Sequence, residues 1–233
     1  MPPRQTARER VRAEITREIT DIARTQLAAD GAAALSLRAV ARDLGMVSSA
    51  VYRYFSSRDE LLTALIIDGY DALGSAVEQA DAACPREDYA ARWRSATRAA
   101  RDWAVAHPHE YALLYGSPVP GYQAPEDTIA PAARSAAVFG RLVSEAHAAG
   151  ALDPGPPRVP VPPVLTGDLQ GLRDTVMPGV PDDVAATALT SWAGVFGVIS
   201  FELFGQFNNV ITDLSAYFDY AVASLARLVG LRT

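Results

Sequence analysis

Apolar side chains recur at helical spacing through most of the chain. Between residues 8 and 29, Ile15, Ile19, Ile22, Ala23 and Leu27 fall three and four apart, the stripe of one helix. Asp30-Gly31 closes it, Gly31 fitting the left-handed position just past a helix end. After a connector at 32–35, Ser36 is placed to cap a second helix over 37–44, with Leu37, Val40, Ala41 and Leu44 inward. Gly45 ends that helix. Val47-Ser48-Ser49 opens a third, with Ala50, Val51 and Phe55 inward. Ser57 and Glu60 have the spacing of a capping box, and a long fourth helix follows with Leu61, Leu62, Leu65, Ile66 and Leu73.

Further helices are predicted over 87–106, 109–116, 127–149, 165–176, 182–205 and 212–230. Proline separates all of these but the last two. Pro108 stops the arginine-rich run that carries Trp93 and Trp103, and SPVPGYQAPED and DPGPPRVPVPP are breaks no helix crosses, because proline fixes φ and removes an amide donor. The second break reads as a surface excursion or a disordered loop. No alternating strand of useful length and no fixed-period repeat is visible, so the fold class expected is all-α. A three-helix helix-turn-helix domain at 1–58 precedes a larger helical domain at 59–233.

Composition narrows the reading. Apolar residues make up 49% of the 233, enough for a real core, and charged residues 21%. Net charge is −6, unpromising for a nucleic-acid binder until its distribution is read. Residues 1–58 hold 10 arginines against 6 acids, so a basic head precedes an acidic body. One cysteine, Cys84, excludes an internal disulfide and a thiolate metal site. The polar start MPPRQTARER has no apolar core of a signal peptide, so a cytoplasmic location is expected.

The stretch LSLRAVARDLGMVSSAVYRYFSSRDELL carries the chemistry. Two short helices around a glycine turn suggest a helix-turn-helix, whose second helix enters the major groove by its N-terminal end. Small polar residues suit that end, and Ser48 and Ser49 supply hydroxyls for a base or a phosphate. Tyr52 lies one turn on, opposite Val51 and Phe55, and Arg53 and Tyr54 flank it within reach of sugar or phosphate. Val47, and Ser36, Leu37 and Arg38 at the start of the second helix, complete the candidate DNA-contacting set. Arg58 opens the fourth helix, where free amides and a guanidinium together suit a phosphate. The bland alternative is a helical hairpin inside a larger bundle.

These residues resemble the DNA-binding domain of TetR-family transcriptional regulators over roughly 12–66. The carriers are a first helix ending at Gly31, then SLRAVARDLG, then SSAVYRYF, then the RDELL start of the fourth helix. The family usually has lysine where Arg58 stands. A weaker resemblance lies at WAGVFGVISFELFG, residues 192–205, to a C-terminal ligand-binding domain marked by Trp followed by His-Gly; Phe196 replaces that His. The resemblance implies a homodimer on double-stranded DNA with a palindromic operator. It also implies an effector that relieves repression. The fourth helix is the natural lever, because Arg58 at its start is placed for DNA while its far end borders the candidate pocket.

Trp93, Trp103, Tyr111, Tyr115, Phe139, His147 and Trp192 form the candidate effector lining, either a pocket for an apolar or aromatic molecule or ordinary core. Residues 184–201 carry no charge over 18 positions, the length of a membrane span. Small and polar residues inside the run and acidic flanks favour a helix buried at a dimer interface instead. His107, His109 and His147 show no zinc-protease spacing, and no phosphate loop or nucleophile elbow is present. Neither an enzyme, a metal site, a cofactor nor a membrane partner is therefore expected. A ligand-independent regulator, an activator, and a helical enzyme or carrier with an incidental helix-turn-helix stay open.

Overall fold

The computed structural model describes residues 6–153, 155 and 159–232. The start of the polar N-terminus at 1–5, and residues 154 and 156–158 of the proline-rich break, lie outside the described residues. Ten α-helices and no strand occur among the described ones. They are α1 Ala7–Asp30, α2 Leu37–Asp43, α3 Ser48–Val51, α4 Arg58–Ala82, α5 Tyr89–Ala106, α6 Pro108–Tyr115, α7 Ile129–Ala148, α8 Thr166–Thr175, α9 Asp182–Leu203 and α10 Leu214–Val229. The described part of the proline-rich break is free of α-helix and ends in a 3-10 turn, Pro163–Leu165.

Local chemistry explains most boundaries. Thr6 and Glu9 form a reciprocal capping box on α1. Pro108 takes the first turn of α6, where its missing N–H costs nothing. Asp213 caps α10 by accepting from the Ala216 amide at 2.9 Å. Three expectations need correction. Ser36 occupies the N-cap position of α2, but its side chain makes no capping bond. The α4 box is slipped by one residue: Ser57 accepts from the Glu60 amide at 3.1 Å, while the Glu60 carboxylate accepts from the amide and hydroxyl of Ser56 at 2.6 and 2.7 Å. Gly31 has φ 77° but ψ 168°, an extended glycine conformation rather than the left-handed helical one.

The chain forms two compact units. The first comprises residues up to Gly69 together with His107–Ile129. Its core holds Ile19, Ala23, Leu35, Leu37, Val40, Ala41, Val51, Phe55, Leu61, Leu62 and Leu65, with Leu113, Val119 and Tyr122 packed against it. The Tyr122 and Thr63 hydroxyls hydrogen-bond at 2.9 Å. Compactness thus divides the chain differently from the expected boundary at 58/59. The face of α4 bearing Leu61, Leu62 and Leu65 completes the helix-turn-helix core, and 107–129 covers it.

The second unit comprises Tyr70–Ala106 and the chain from Ala130 on. An antiparallel pair, α9 and α10, is joined by the Ser191 hydroxyl donating to the Leu225 carbonyl at 3.1 Å. A Cβ on Gly194 would stand 2.8 Å from the Leu225 side chain, so these helices approach closely. Arg92, fully buried, donates to Asp81 at 2.7 Å and to Glu145 at 2.6 Å, tying α4, α5 and α7 together. Arg101 forks onto Glu202 at 2.8 and 2.6 Å, linking α5 to α9. By length and composition α9 is able to cross a membrane, with mean hydropathy 1.6. Its buried side chains Val184, Ala185, Ala188, Ser191, Val195, Phe196 and Ile199 pack inside the unit.

Candidate nucleic-acid interface

The turn between α2 and α3 is fixed by backbone geometry. The Met46 amide reaches back to the Ala41 carbonyl at 2.8 Å and the Gly45 amide to Arg42 at 3.0 Å. That is the paired pattern of a Schellman ending, and it requires the positive φ of 65° that Gly45 supplies. The α-helical part of α3 is only four residues, Ser48–Val51, shorter than expected. Beyond it the chain winds tighter: the Arg53 and Tyr54 amides bond three residues back, to Ala50 and Val51. Phe55 is drawn into the core by this tightening and anchors the element's end.

Ala50 and Val51 are buried, so the opposite face of α3 is offered outward. Ser49, Tyr52 and Arg53 are exposed there, Val47 is 71% exposed, and Ser48 and Tyr54 are half-buried. Ser36 is half-buried and Arg38 exposed at the start of α2. Leu37 needs correction: its side chain is buried in the three-helix core, which leaves only its backbone to meet DNA.

Arg58 has a different setting from the one expected. Its Nε donates to the Leu35 carbonyl at 3.2 Å, and its Nη2 to those of Ala32 and Ala33 at 2.8 and 3.2 Å. The Ala32 carbonyl also accepts the Leu35 amide at 3.4 Å within the 3-10 turn Ala32–Ala34, and the planar guanidinium gathers it together with the carbonyls of Ala33 and Leu35. Asp59 stands 3.6 Å away. The side chain therefore clamps the connector before α2 onto the start of α4.

Sequence reasoning missed Arg8 and Arg12. The Arg12 guanidinium carbon lies 5.1 Å from the centroid of the Tyr54 ring, and its Nη2 donates to the Arg53 carbonyl at 3.5 Å. Ala7, Arg8, Val11, Arg12, Arg53 and Tyr54 together line an open groove of about 530 Å³. The four-residue spacing of Arg8 and Arg12 on α1 was the visible signal.

The proposed effector residues are divided between the units. Tyr111 and Tyr115 belong to the first, with ring centroids 4.9 Å apart, Tyr111 fully buried and Tyr115 half-buried. Trp93, Trp103, Phe139, His147 and Trp192 belong to the second. Trp93 is a core residue: it is 1% exposed, its Nε1 donates to the Val222 carbonyl at 2.9 Å, and Phe139 meets it edge-on at 5.5 Å. Trp103 is buried, and His147 is half-buried in the last turn of α7. Trp192 differs: its ring lies 5.2 Å from Phe196, and its Nε1 is buried with no hydrogen-bond partner among the described residues. Ser144 Oγ is in the same state. An open cavity of about 420 Å³ elsewhere in this unit, between Asp153, Gly155 and 159–165 on one side and the facing ends of α9 and α10 on the other, is lined by other residues.

A three-helix core, a glycine turn and an outward polar face on the second helix define a helix-turn-helix DNA-binding regulator with a helical regulatory part. Residues 19–65 match the family described as bacterial regulatory proteins, tetR family. Residues 93–225 match the tetracyclin repressor-like, C-terminal domain. Over 220 residues the chain is 43% identical to the HTH-type transcriptional regulator Rv1816 of Mycobacterium tuberculosis, spanning 93% of this chain and 91% of that one. Mb1846 of Mycobacterium bovis matches equally. Among solved structures, regulatory protein SCO4313 is 35% identical with a TM-score of 0.77, over 94% of this chain and 98% of its own. A protein of unknown function from Rhodococcus sp. RHA1 is 25% identical with a TM-score of 0.68, over the whole of both chains. The chain belongs to the TetR family of transcriptional regulators, which are DNA-binding proteins and not enzymes.

Proposed function

We propose that the chain is a homodimeric, cytoplasmic repressor that holds a palindromic operator and leaves it when a small, mostly apolar molecule binds the helical regulatory part. The observation that carries this reading is the exposed face of α3. Ser49, Tyr52 and Arg53 stand outward over a core anchored by Ala50, Val51 and Phe55. Groove-facing Ser49 and Tyr52 specify sequence, Arg53 and Tyr54 meet sugar or phosphate, and Ser36, Arg38, Val47 and Ser48 flank them as further contacts.

A twofold dimer places two such faces about 34–36 Å apart, so each half-site is read by one protomer. The surface for that dimer is the outward side of α9 and α10. Leu189, Phe201, Tyr220 and Leu228 are 44%, 52%, 71% and 50% exposed, a side a lone chain leaves to water at a cost. A Cβ on Gly197 would meet nothing within 4 Å in its own chain, leaving room for a partner helix.

The effector reading is supported by the buried, unpartnered Trp192 indole N–H beside Phe196, since buried donors otherwise find acceptors. Release requires the effector to favour the DNA-incompetent state, and a shift from 1:99 to 99:1 takes about 5.5 kcal/mol of differential affinity. The test has two parts. Selection from random duplexes should return an inverted repeat, and Tyr52→Ala with Ser49→Ala should alter the consensus within each half-site. A reporter downstream of that repeat should be silenced by the intact protein and restored by an effector whose affinity the operator weakens by the same factor. A consensus without inverted symmetry, or a reporter activated by the protein, refutes the proposal.

A further inference from the structure

The groove bounded by Ala7, Arg8, Val11, Arg12, Arg53 and Tyr54 carries three arginines and no acid in its lining. We propose that it binds the phosphate backbone of DNA beside the half-site that α3 reads, so the main backbone anchor lies on α1 rather than at the start of α4. This rests on the DNA-binding reading above.

Arg8 and Arg12 stand four apart on α1 and share one face. Arg53 closes the groove from the end of the α3 element. Among the described residues none of these three arginines pairs with a carboxylate. The nearby Glu9 carboxylate is occupied at the helix start, accepting from the Thr6 amide at 2.7 Å. Three arginines line a groove of about 530 Å³, and no carboxylate among the described residues pairs with them.

The groove is also pre-shaped. Arg12 lies over the Tyr54 ring at 5.1 Å and donates to the Arg53 carbonyl at 3.5 Å, which joins α1 to the end of the reading element. A side chain already held in place loses less freedom when a ligand arrives. Its planar fork suits a phosphate's paired oxygens. Ala7 and Val11 give the groove an apolar wall suited to sugar carbons. The groove is open and its charges run along a helix rather than converging on one point, which favours an extended polyanion over a small ion. Because Arg53 and Tyr54 follow directly on Tyr52, a backbone bound here continues into the groove that α3 enters.

The test measures duplex affinity of the full-length protein across a salt series for the parent, Arg8→Gln, Arg12→Gln and Arg8→Glu. Each phosphate contact contributes about 0.9 to the slope of log K against log salt, so Arg8→Gln and Arg12→Gln should each reduce it by about 1 per protomer. Arg8→Glu, at an exposed position outside the hydrophobic core, should reduce it at least as much. The consensus selected from random duplexes should stay the same, since phosphates carry no sequence information. A parent slope that the Arg8 and Arg12 variants leave unchanged overturns the groove alone. A consensus that shifts with them overturns the backbone assignment. A parent without salt-dependent affinity for any duplex overturns the DNA-binding reading and the groove with it.

Discussion

Replacing Trp93 separates a core residue from a ligand wall. In the structure its indole is 1% exposed, bonds to the Val222 carbonyl at 2.9 Å and meets Phe139 edge-on. Trp93→Ala removes the whole ring from a closed site and should cost about 3–5 kcal/mol. Trp93→Phe keeps an aromatic edge for Phe139 and loses the indole N–H. Its partner carbonyl lies within α10, where a helical amide also serves it, so the loss falls near the low end for a buried hydrogen bond. Adding the smaller ring volume, about 1–2 kcal/mol is expected. In a chain of this size each kcal/mol moves the melting midpoint by about 2–4 °C. Urea unfolding followed by circular dichroism, at one fixed protein concentration because dimerisation couples to stability, measures both costs. A Trp93→Phe protein with parental stability and an effector affinity weakened tenfold or more would refute the core assignment and return this residue to the pocket.

Three further outcomes follow from named contacts. Arg58→Ala should lower specific affinity while leaving the salt slope at the parental value, because its guanidinium is engaged with the carbonyls of Ala32, Ala33 and Leu35; a slope reduced by about 1 per protomer would make it a phosphate contact after all. Burial alone would raise the Asp81 carboxyl, but hydrogen bonds and charge from Arg92 and Arg86 outweigh it and hold it below the usual carboxylate range. Its stabilisation is therefore complete above the unfolded value of about 3.9 and fades as pH falls below it, so Arg92→Met should cost about 3–5 kcal/mol at neutral pH and flatten the acid limb of a stability–pH curve. Gly197→Arg places a charge on the outward side of α9 without touching its own chain, so it should yield a folded monomer in sedimentation; an intact dimer would move the interface elsewhere.

The pattern of the first four helices was legible because its causes are local. Ile19, Ala23 and Leu27 share a face by spacing alone, Gly45 is demanded by the turn it makes, and Ala50 and Val51 face inward opposite Ser49 and Tyr52. The same holds for the two long C-terminal helices, whose ends at Leu203 and Val229 fall within two residues of the expected ones. What could not be read depends on partners far along the chain. Arg58 resembles a phosphate ligand until the carbonyls 23 to 26 residues before it are brought alongside. Tyr54 gains its role from Arg12, on another helix, and Arg92 gains its burial from acids on α4 and α7. Helix periodicity says which face is inward but not which polar group waits there. The slipped box at α4 shows the limit even nearby: Ser56 and Ser57 both have hydroxyls, and only the geometry of the turn decides which one Glu60 reaches.

The segment 107–129 shows what this means for regulation. Chain order assigns it to the regulatory part, since it follows α5 and carries Tyr111 and Tyr115. Yet Leu113, Val119 and Tyr122 pack against the core that holds α2, α3 and the start of α4, and Tyr122 bonds to Thr63 there. A side chain in a close-packed interior cannot move without its neighbours, because a gap of even a fraction of an ångström loses much of the contact energy. Any effector that displaces 107–129 therefore acts on the helix-turn-helix core directly, in addition to whatever it does along α4. Coupling of this kind needs no lengthy chain of intermediaries. The free energy such an effector could supply would be limited by how differently it holds 107–129 in two states of the protein.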